Sequence, residues 1–266
     1  SRGDVRAILY GIGVLGSIDM EYMWTKIVDI AKRNNVVPGG DTDCAQANTA
    51  MFLAGGLTSK NVSHTIAAVA RAIAGARSLV AIECGAQGPT KDCGYENPIV
   101  KSIASVPICA EGKNATCAHS DLMGNLTAAV CDVWSNESVY NREEMGGPTP
   151  GVWLQSLGYE CALMNTATQI GTNKQLRDTY VLADKYRDPQ GVILAYDNAY
   201  KIGEAITAEG EDIYLRSRAA AIRAMELINE AVDEKRILLT RFERDTLDST
   251  MKTYEQLPDD KDKFIK

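Results

Sequence analysis

Over its first ~140 residues the chain alternates short apolar runs with stretches of helical spacing, at roughly 30 to 45 residues per unit. Few folds accommodate that rhythm. Strands joined through helices must run parallel, with right-handed crossovers, so the chain belongs to the α/β class. The spacing predicts strands at Val5–Val14, Val36–Pro38, Ser78–Glu83, Val106–Ala110 and Asp132–Ser135. It predicts helices at Asp19–Arg33 (with Asp19 as N-cap), Ala45–Ala54, Val62–Ala76, Gly94–Ser105 and Leu122–Cys131. Short apolar strands buried on both faces fit a barrel or a doubly wound sheet.

From about Pro150 the pattern changes to consecutive helices: Val152–Gln169, Lys174–Tyr186, Gln190–Glu209, Asp212–Val232 and Ile237–Leu257, punctuated by Pro148, Pro150 and Pro189. The expected organisation is an α/β unit over 1–149 and a helical region over 150–266. Five strands do not close an eight-stranded barrel. The first also begins close to Ser1, so residues 1–266 are expected to be the later part of a larger barrel, with an open strand edge that makes them poorly soluble and inactive alone.

A chain of 266 residues with 45% hydrophobic content can bury a full core. Its formal charge of −7 argues against nucleic acid or an anionic membrane as main partner. No uninterrupted run of about twenty apolar residues occurs. The start, Ser1-Arg2-Gly3-Asp4-Val5, lacks the apolar core of a signal peptide. Seven cysteines, an odd number in a chain this long, suggest reduced thiols in the cytoplasm. The glycosylation sequons at Asn61, Asn114, Asn125 and Asn136 are then chance matches.

Two cysteines stand apart from the rest. Cys44 closes Pro38-Gly39-Gly40-Asp41-Thr42-Asp43-Cys44, and Cys93 lies in Gly85-Ala86-Gln87-Gly88-Pro89-Thr90-Lys91-Asp92-Cys93. Each is in a Gly/Asp-rich loop after an apolar run, so both would reach the rim where strand carboxyl ends gather and α/β folds place their chemistry. Two thiolates there suit a zinc ion with positions open for substrate, and a shared ion would bring the sulfurs within roughly 4 Å. The bland alternatives are a helix cap by Asp41 or Asp43 with Cys44 as a small buried residue, and an exposed loop thiol at Cys93.

Other candidates are weaker. Cys84 competes as a strand-end thiol, while Cys109, Cys117, Cys131 and Cys161 occupy apolar or helical settings. Of the two histidines, His64 sits on an Ala-rich helix and suits a packed or surface role. His119 follows a strand and suits the rim. Gly11-Ile12-Gly13-Val14-Leu15-Gly16 matches the dinucleotide fingerprint between a strand and a helix. An acidic residue about twenty positions on is wanted, and Asp41 and Asp43 come late. A barrel-rim loop is the better reading of these glycines.

Several blocks carry a resemblance. Gly40-Asp41-Thr42-Asp43-Cys44-Ala45-Gln46-Ala47-Asn48, Lys91-Asp92-Cys93-Gly94-Tyr95-Glu96-Asn97 and Cys117-Ala118-His119-Ser120-Asp121 resemble the zinc-binding subunit of methanol:corrinoid methyltransferases. Trp134-Ser135-Asn136-Glu137-Ser138, Tyr159-Glu160-Cys161-Ala162-Leu163-Met164 and Ala195-Tyr196-Asp197-Asn198-Ala199-Tyr200 extend the similarity over essentially the whole chain.

The resemblance implies a (β/α)8 TIM barrel, with this chain supplying about strands four to eight. It implies Zn²⁺ held by two cysteines, which map onto Cys44 and Cys93, and by a glutamate expected upstream of Ser1. Glu83, Asp41 and Glu111 do not match that glutamate's motif. The implied reaction transfers the methyl group of methanol to a Co(I) corrinoid carried by a partner protein. Zinc would act as Lewis acid on the methanol oxygen, with Asp41 or Asp43 as proton donor or supporting residue. Lys91, Tyr95 and His119 would lie on the corrinoid-facing rim. The implied assembly is a homodimer within a heterotetramer. The rivals are an NAD-dependent oxidoreductase using Gly11, Gly13 and Gly16, and a non-catalytic assembly subunit.

Overall fold

The computed structural model describes residues 4–42, 50, 53–54, 62–87, 90–92, 96–106, 108–110, 125–126 and 150–265. Helix opens the chain. α1 (Arg6–Ile8) runs through a π-helical segment (Leu9–Leu15) into α2 (Gly16–Arg33). The expected strand Val5–Val14 is therefore helical, and Asp19 lies inside a helix rather than capping it. A run such as Ile-Leu-Tyr-Gly-Ile-Gly-Val-Leu is apolar on every side, so periodicity cannot separate a buried strand from a buried helix. Leu9, Ile12 and Val14 are all buried.

Among the described residues three short strands follow: β1 (Gly40–Asp41), β2 (Thr90–Asp92) and β3 (Ile108–Ala110). They form one parallel sheet in the order β1-β2-β3. The parallel connection holds as the alternation predicts, but two strands are displaced. Val36–Pro38 precedes the ladder, although the Pro38 carbonyl accepts the Gln87 N–H at 2.8 Å. Ser78–Glu83 is helical, forming the last turns of α3 (His64–Glu83). The strand in that part of the chain lies further on, at Thr90–Asp92. The fourth expected strand is met at Ile108–Ala110. Asp132–Ser135 and most of the helices expected at Ala45–Ala54 and Leu122–Cys131 fall outside the described residues.

α3 is the central element. Its alanines at 67, 68, 70, 72, 74, 76 and 81 are buried, so neighbouring backbones approach closely. By length and hydropathy it would pass as a membrane span, against the expectation from the sequence, but 89% of its apolar window lies inside the protein. That is the position of a core helix. Around it pack α4 (Asn97–Ala104), α7 (Pro189–Leu194), α9 (Ile213–Asp233) and α10 (Arg241–Glu255).

The helical region matches its expected pattern. α5 (Pro150–Gln169), α6 (Asn173–Asp184), α8 (Tyr196–Ala208) and α11 (Lys261–Ile265) complete it. The single helix expected over Gln190–Glu209 is divided at Ala195, whose ψ of 139° breaks it into α7 and α8. One hydrophobic cluster runs from Leu9 through α3 and α4 to Leu257. A second joins Met20, Trp24 and Val28 of α2 to Val80, Ala81 and Ala86. A bidentate ion pair, Arg216 to Glu83 at 2.8 and 2.9 Å, ties α9 to the end of α3.

Candidate functional site

The strand register defines the site's frame. Gly40 pairs with Thr90 and Asp41 with Lys91. Lys91 in turn pairs with Cys109, and Asp92 with Ala110. Parallel strands in register end on one edge, with neighbours about 4.8 Å apart. Cys93 follows directly on Asp92, and Cys44 follows Asp41 by three residues. The covalent chain thus delivers both cysteine-bearing segments from the carboxyl edge of adjacent strands. Cys44, Cys93, Asp43, Tyr95 and His119 themselves lie outside the described residues, as do the side chains of Asp41 and Lys91. Among the described residues no group of three or more His, Cys, Asp or Glu could hold a metal ion.

The edge is anchored from below by α3. Ser78 Oγ lies 2.8 Å from the Thr42 carbonyl and 3.0 Å from Glu96 Oε1, and its hydrogen can be donated to either. Arg77 Nη1 donates to the same Thr42 carbonyl at 3.3 Å. Thr42, Ser78, Arg77 and Glu96 are all buried. Sequence reasoning passed over this group. The signal available was a polar Arg-Ser step in the second half of a helix rich in Ala, Val, Ile and Leu.

The glycine motif is not a phosphate loop. Gly11 and Gly13 lie within the π-helical segment, where the Gly16 N–H donates to the Gly11 carbonyl in the i→i+5 pattern. A Cβ on Gly13 would stand 2.6 Å from Ser217 Cβ, and one on Gly16 would stand 3.0 Å from Arg77 Cδ and Nε. These glycines let α9 and the Arg77 side chain come close. A pyrophosphate needs free backbone N–H groups at a helix N-terminus, and the continuous helix leaves none here. This removes the structural basis of the NAD reading.

His64 takes the packed role expected of it, at the start of α3. Its Nδ1 lies 2.9 Å from Gln190 Nε2 and 3.8 Å from Asp188 Oδ2. Asp188 caps α7 by accepting the Gly191 N–H at 2.8 Å. Burial pushes its carboxyl above the ordinary carboxylate range, while His64, the Gly191 N–H and Arg71 pull the other way. Asp184 is raised too, chiefly by burial, against the Leu126 N–H and the Asn125 amide that it accepts at 2.8 and 3.2 Å. The side chain of one sequon asparagine, Asn125, is thereby engaged in a part-buried hydrogen bond. Cys84, expected at a strand end, is instead the C-cap of α3, where Thr25 Oγ1 lies 3.8 Å from its sulfur. A cleft of about 620 Å³ between α8 and α9 is lined by Leu215, Arg218, Ile222, Arg223 and Glu226, and none of the residues marked by the sequence borders it.

A parallel sheet with helical crossovers places the chain in the α/β class. The family model for the methanol-cobalamin methyltransferase B subunit matches residues 1–266. The chain belongs to that family. It is 55% identical over 264 residues to a methanol–corrinoid protein co-methyltransferase of Methanosarcina barkeri, covering 99% of this chain and 57% of that protein. It is also similar, at TM-score 0.86 and 53% identity, to a chain in the crystal structure of the methanol:cobalamin methyltransferase complex MtaBC from the same organism. That match covers 99% of this chain and 57% of the other. The chain thus spans somewhat over half the length of the relatives that it matches.

Proposed function

We propose that residues 1–266 supply the thiolate half of a zinc site in a (β/α)8 barrel enzyme. That enzyme transfers the methyl group of methanol to a corrinoid carried by a separate protein. The observation that supports this reading is the β1–β2 register, which pairs Asp41, three residues before Cys44, with Lys91, two residues before Cys93. The 55% identity to a methanol–corrinoid protein co-methyltransferase supports the substrate pair.

The donor chemistry fits. Two thiolates and a carboxylate leave a coordination position for substrate. The carboxylate, a glutamate in the family, has no counterpart among residues 1–266, and Glu83 is held by Arg216 at the far end of α3. When bound, zinc would supply Lewis acidity toward the methanol oxygen, which departs with poor leaving-group character. The chain's own residues do the rest. Cys44 and Cys93 hold the site, and Asp41 or Asp43 offers a proton to the departing oxygen. Lys91, Tyr95 and His119 face the corrinoid protein, which docks over the strand ends. The helices from Pro150 onward form a region packed against the barrel. The assembly is a homodimer paired with two corrinoid proteins, working in the cytoplasm.

Zinc analysis of the full-length protein tests the reading. Cys44→Ala and Cys93→Ala each lose most of the metal and all methyl transfer, while circular dichroism stays that of the parent. Parent-level zinc in either variant excludes that residue as a ligand.

A further inference from the structure

We propose that Ser78 is a positioning residue that locks the Cys44 and Cys93 segments to each other, with Arg77 bracing it; this deepens the two-thiolate reading and rests on it. Thr42 stands two residues before Cys44, and Glu96 stands three residues after Cys93. One buried hydroxyl touches both, at 2.8 Å and 3.0 Å. It therefore bridges, through a rigid helix, the two loops whose thiols must meet on one ion.

The arrangement departs from the commonest habit of helix-borne hydroxyls in this chain, although Thr65 and Ser102 also reach other elements. Thr166, Thr179 and Ser217 each donate to the carbonyl four residues back in their own helix, at 2.7 to 2.8 Å. Ser78 reaches across to two other elements instead. Burying Arg77 and Ser78 in a largely apolar helix is costly unless their polar atoms find partners. Thr42 supplies a carbonyl to both of them. Gly16 opens the space that Arg77 occupies, since a Cβ there would lie 3.0 Å from its Cδ and Nε. The last glycine of the motif thus serves the cysteine-bearing edge rather than a nucleotide.

Metal sites tolerate errors of only about 0.2 Å in their ligand distances, and groups that orient ligands typically change metal affinity 10- to 100-fold when removed. The test uses the full-length protein. It measures zinc affinity by chelator competition and the visible absorption of the cobalt(II)-substituted form. Ser78→Ala should weaken zinc about tenfold or more and shift the cobalt bands, whereas Ser78→Thr, which keeps the hydroxyl, should restore both. Ser217→Ala removes a buried hydroxyl remote from the strand edge and should leave zinc and spectrum unchanged.

Parent-like affinity and spectrum in Ser78→Ala overturn the proposal while Cys44→Ala and Cys93→Ala still lose metal. An equal loss in Ser217→Ala also overturns it, because the effect would then be general destabilisation. If the parent's zinc is insensitive to both cysteines, the two-thiolate reading fails and takes this one with it.

Discussion

At the start of α3, Ser63 caps the Ile66 N–H locally, and Glu243 adds a second cap from 178 residues away along the chain. Its carboxylate accepts the backbone N–H of His64 at 2.7 Å and of Thr65 at 3.0 Å, and the Thr65 hydroxyl at 2.8 Å. Removing it leaves buried donors without an acceptor, so Glu243→Ala should cost about 2–3 kcal/mol in urea denaturation. A loss below about 0.5 kcal/mol would show that water replaces it. Asp188 presents the opposite case. Its folded carboxyl is raised above the unfolded value, mainly by burial. Its contribution is full below the unfolded pKa of about 3.9 and is lost as pH rises through the folded value, because the native state then holds a proton that the unfolded state has released. Asp188→Asn keeps a good helix cap. Its stability relative to the parent should therefore increase as pH rises above about 4, and a difference independent of pH would contradict the raised carboxyl.

The elements meet through small residues. The alanines of α3 and the glycines before α2 let backbones approach more closely than larger side chains allow. Gly13 against Ser217 is the tightest of these meetings in the π-helical segment. Gly13→Ala should destabilise by roughly 1–3 kcal/mol through overpacking. Ser217→Gly removes the opposing atoms and should recover much of that loss in the double variant, a coupling that a double-mutant cycle reads directly. Additive losses would mean that the helices can part without strain.

How much of these elements was legible depended on periodicity. The longer helices α6, α8, α9 and α10 have both buried and exposed residues, and most were read to within a few residues. α3 is buried all round and shows no such contrast, so its last turns, Ser78–Glu83, read as a strand. The same blindness turned Val5–Val14 into a strand. The Cys44 and Cys93 segments were singled out for an Asp-Cys step in a glycine-containing loop after an apolar run, and both cysteines lie outside the described residues. Ser78 was not singled out, since a lone serine on an alanine-rich helix carries no mark of its distant partners.

For the molecule as a whole, α2 carries a run of exposed apolar residues: Ile18, Tyr22, Met23, Ile27 and Ile30, of which Tyr22 is 62% accessible. Contiguous apolar surface of this kind favours association. The 266-residue chain should self-associate in sedimentation experiments. Ile18→Lys with Ile30→Glu should lower its average mass without lowering the melting temperature, and an unchanged mass would place the association elsewhere. By itself, the amino-acid sequence determined the parallel strand connections, the helical second half and the family, because these rest on local pattern and on long matching blocks. Only the tertiary structure decided that the glycine motif is helical packing, that α3 is a core helix and that the Ser78 hydroxyl meets Thr42 and Glu96. Each of those depends on which atoms stand opposite one another across residues distant in the chain, and no local pattern encodes that.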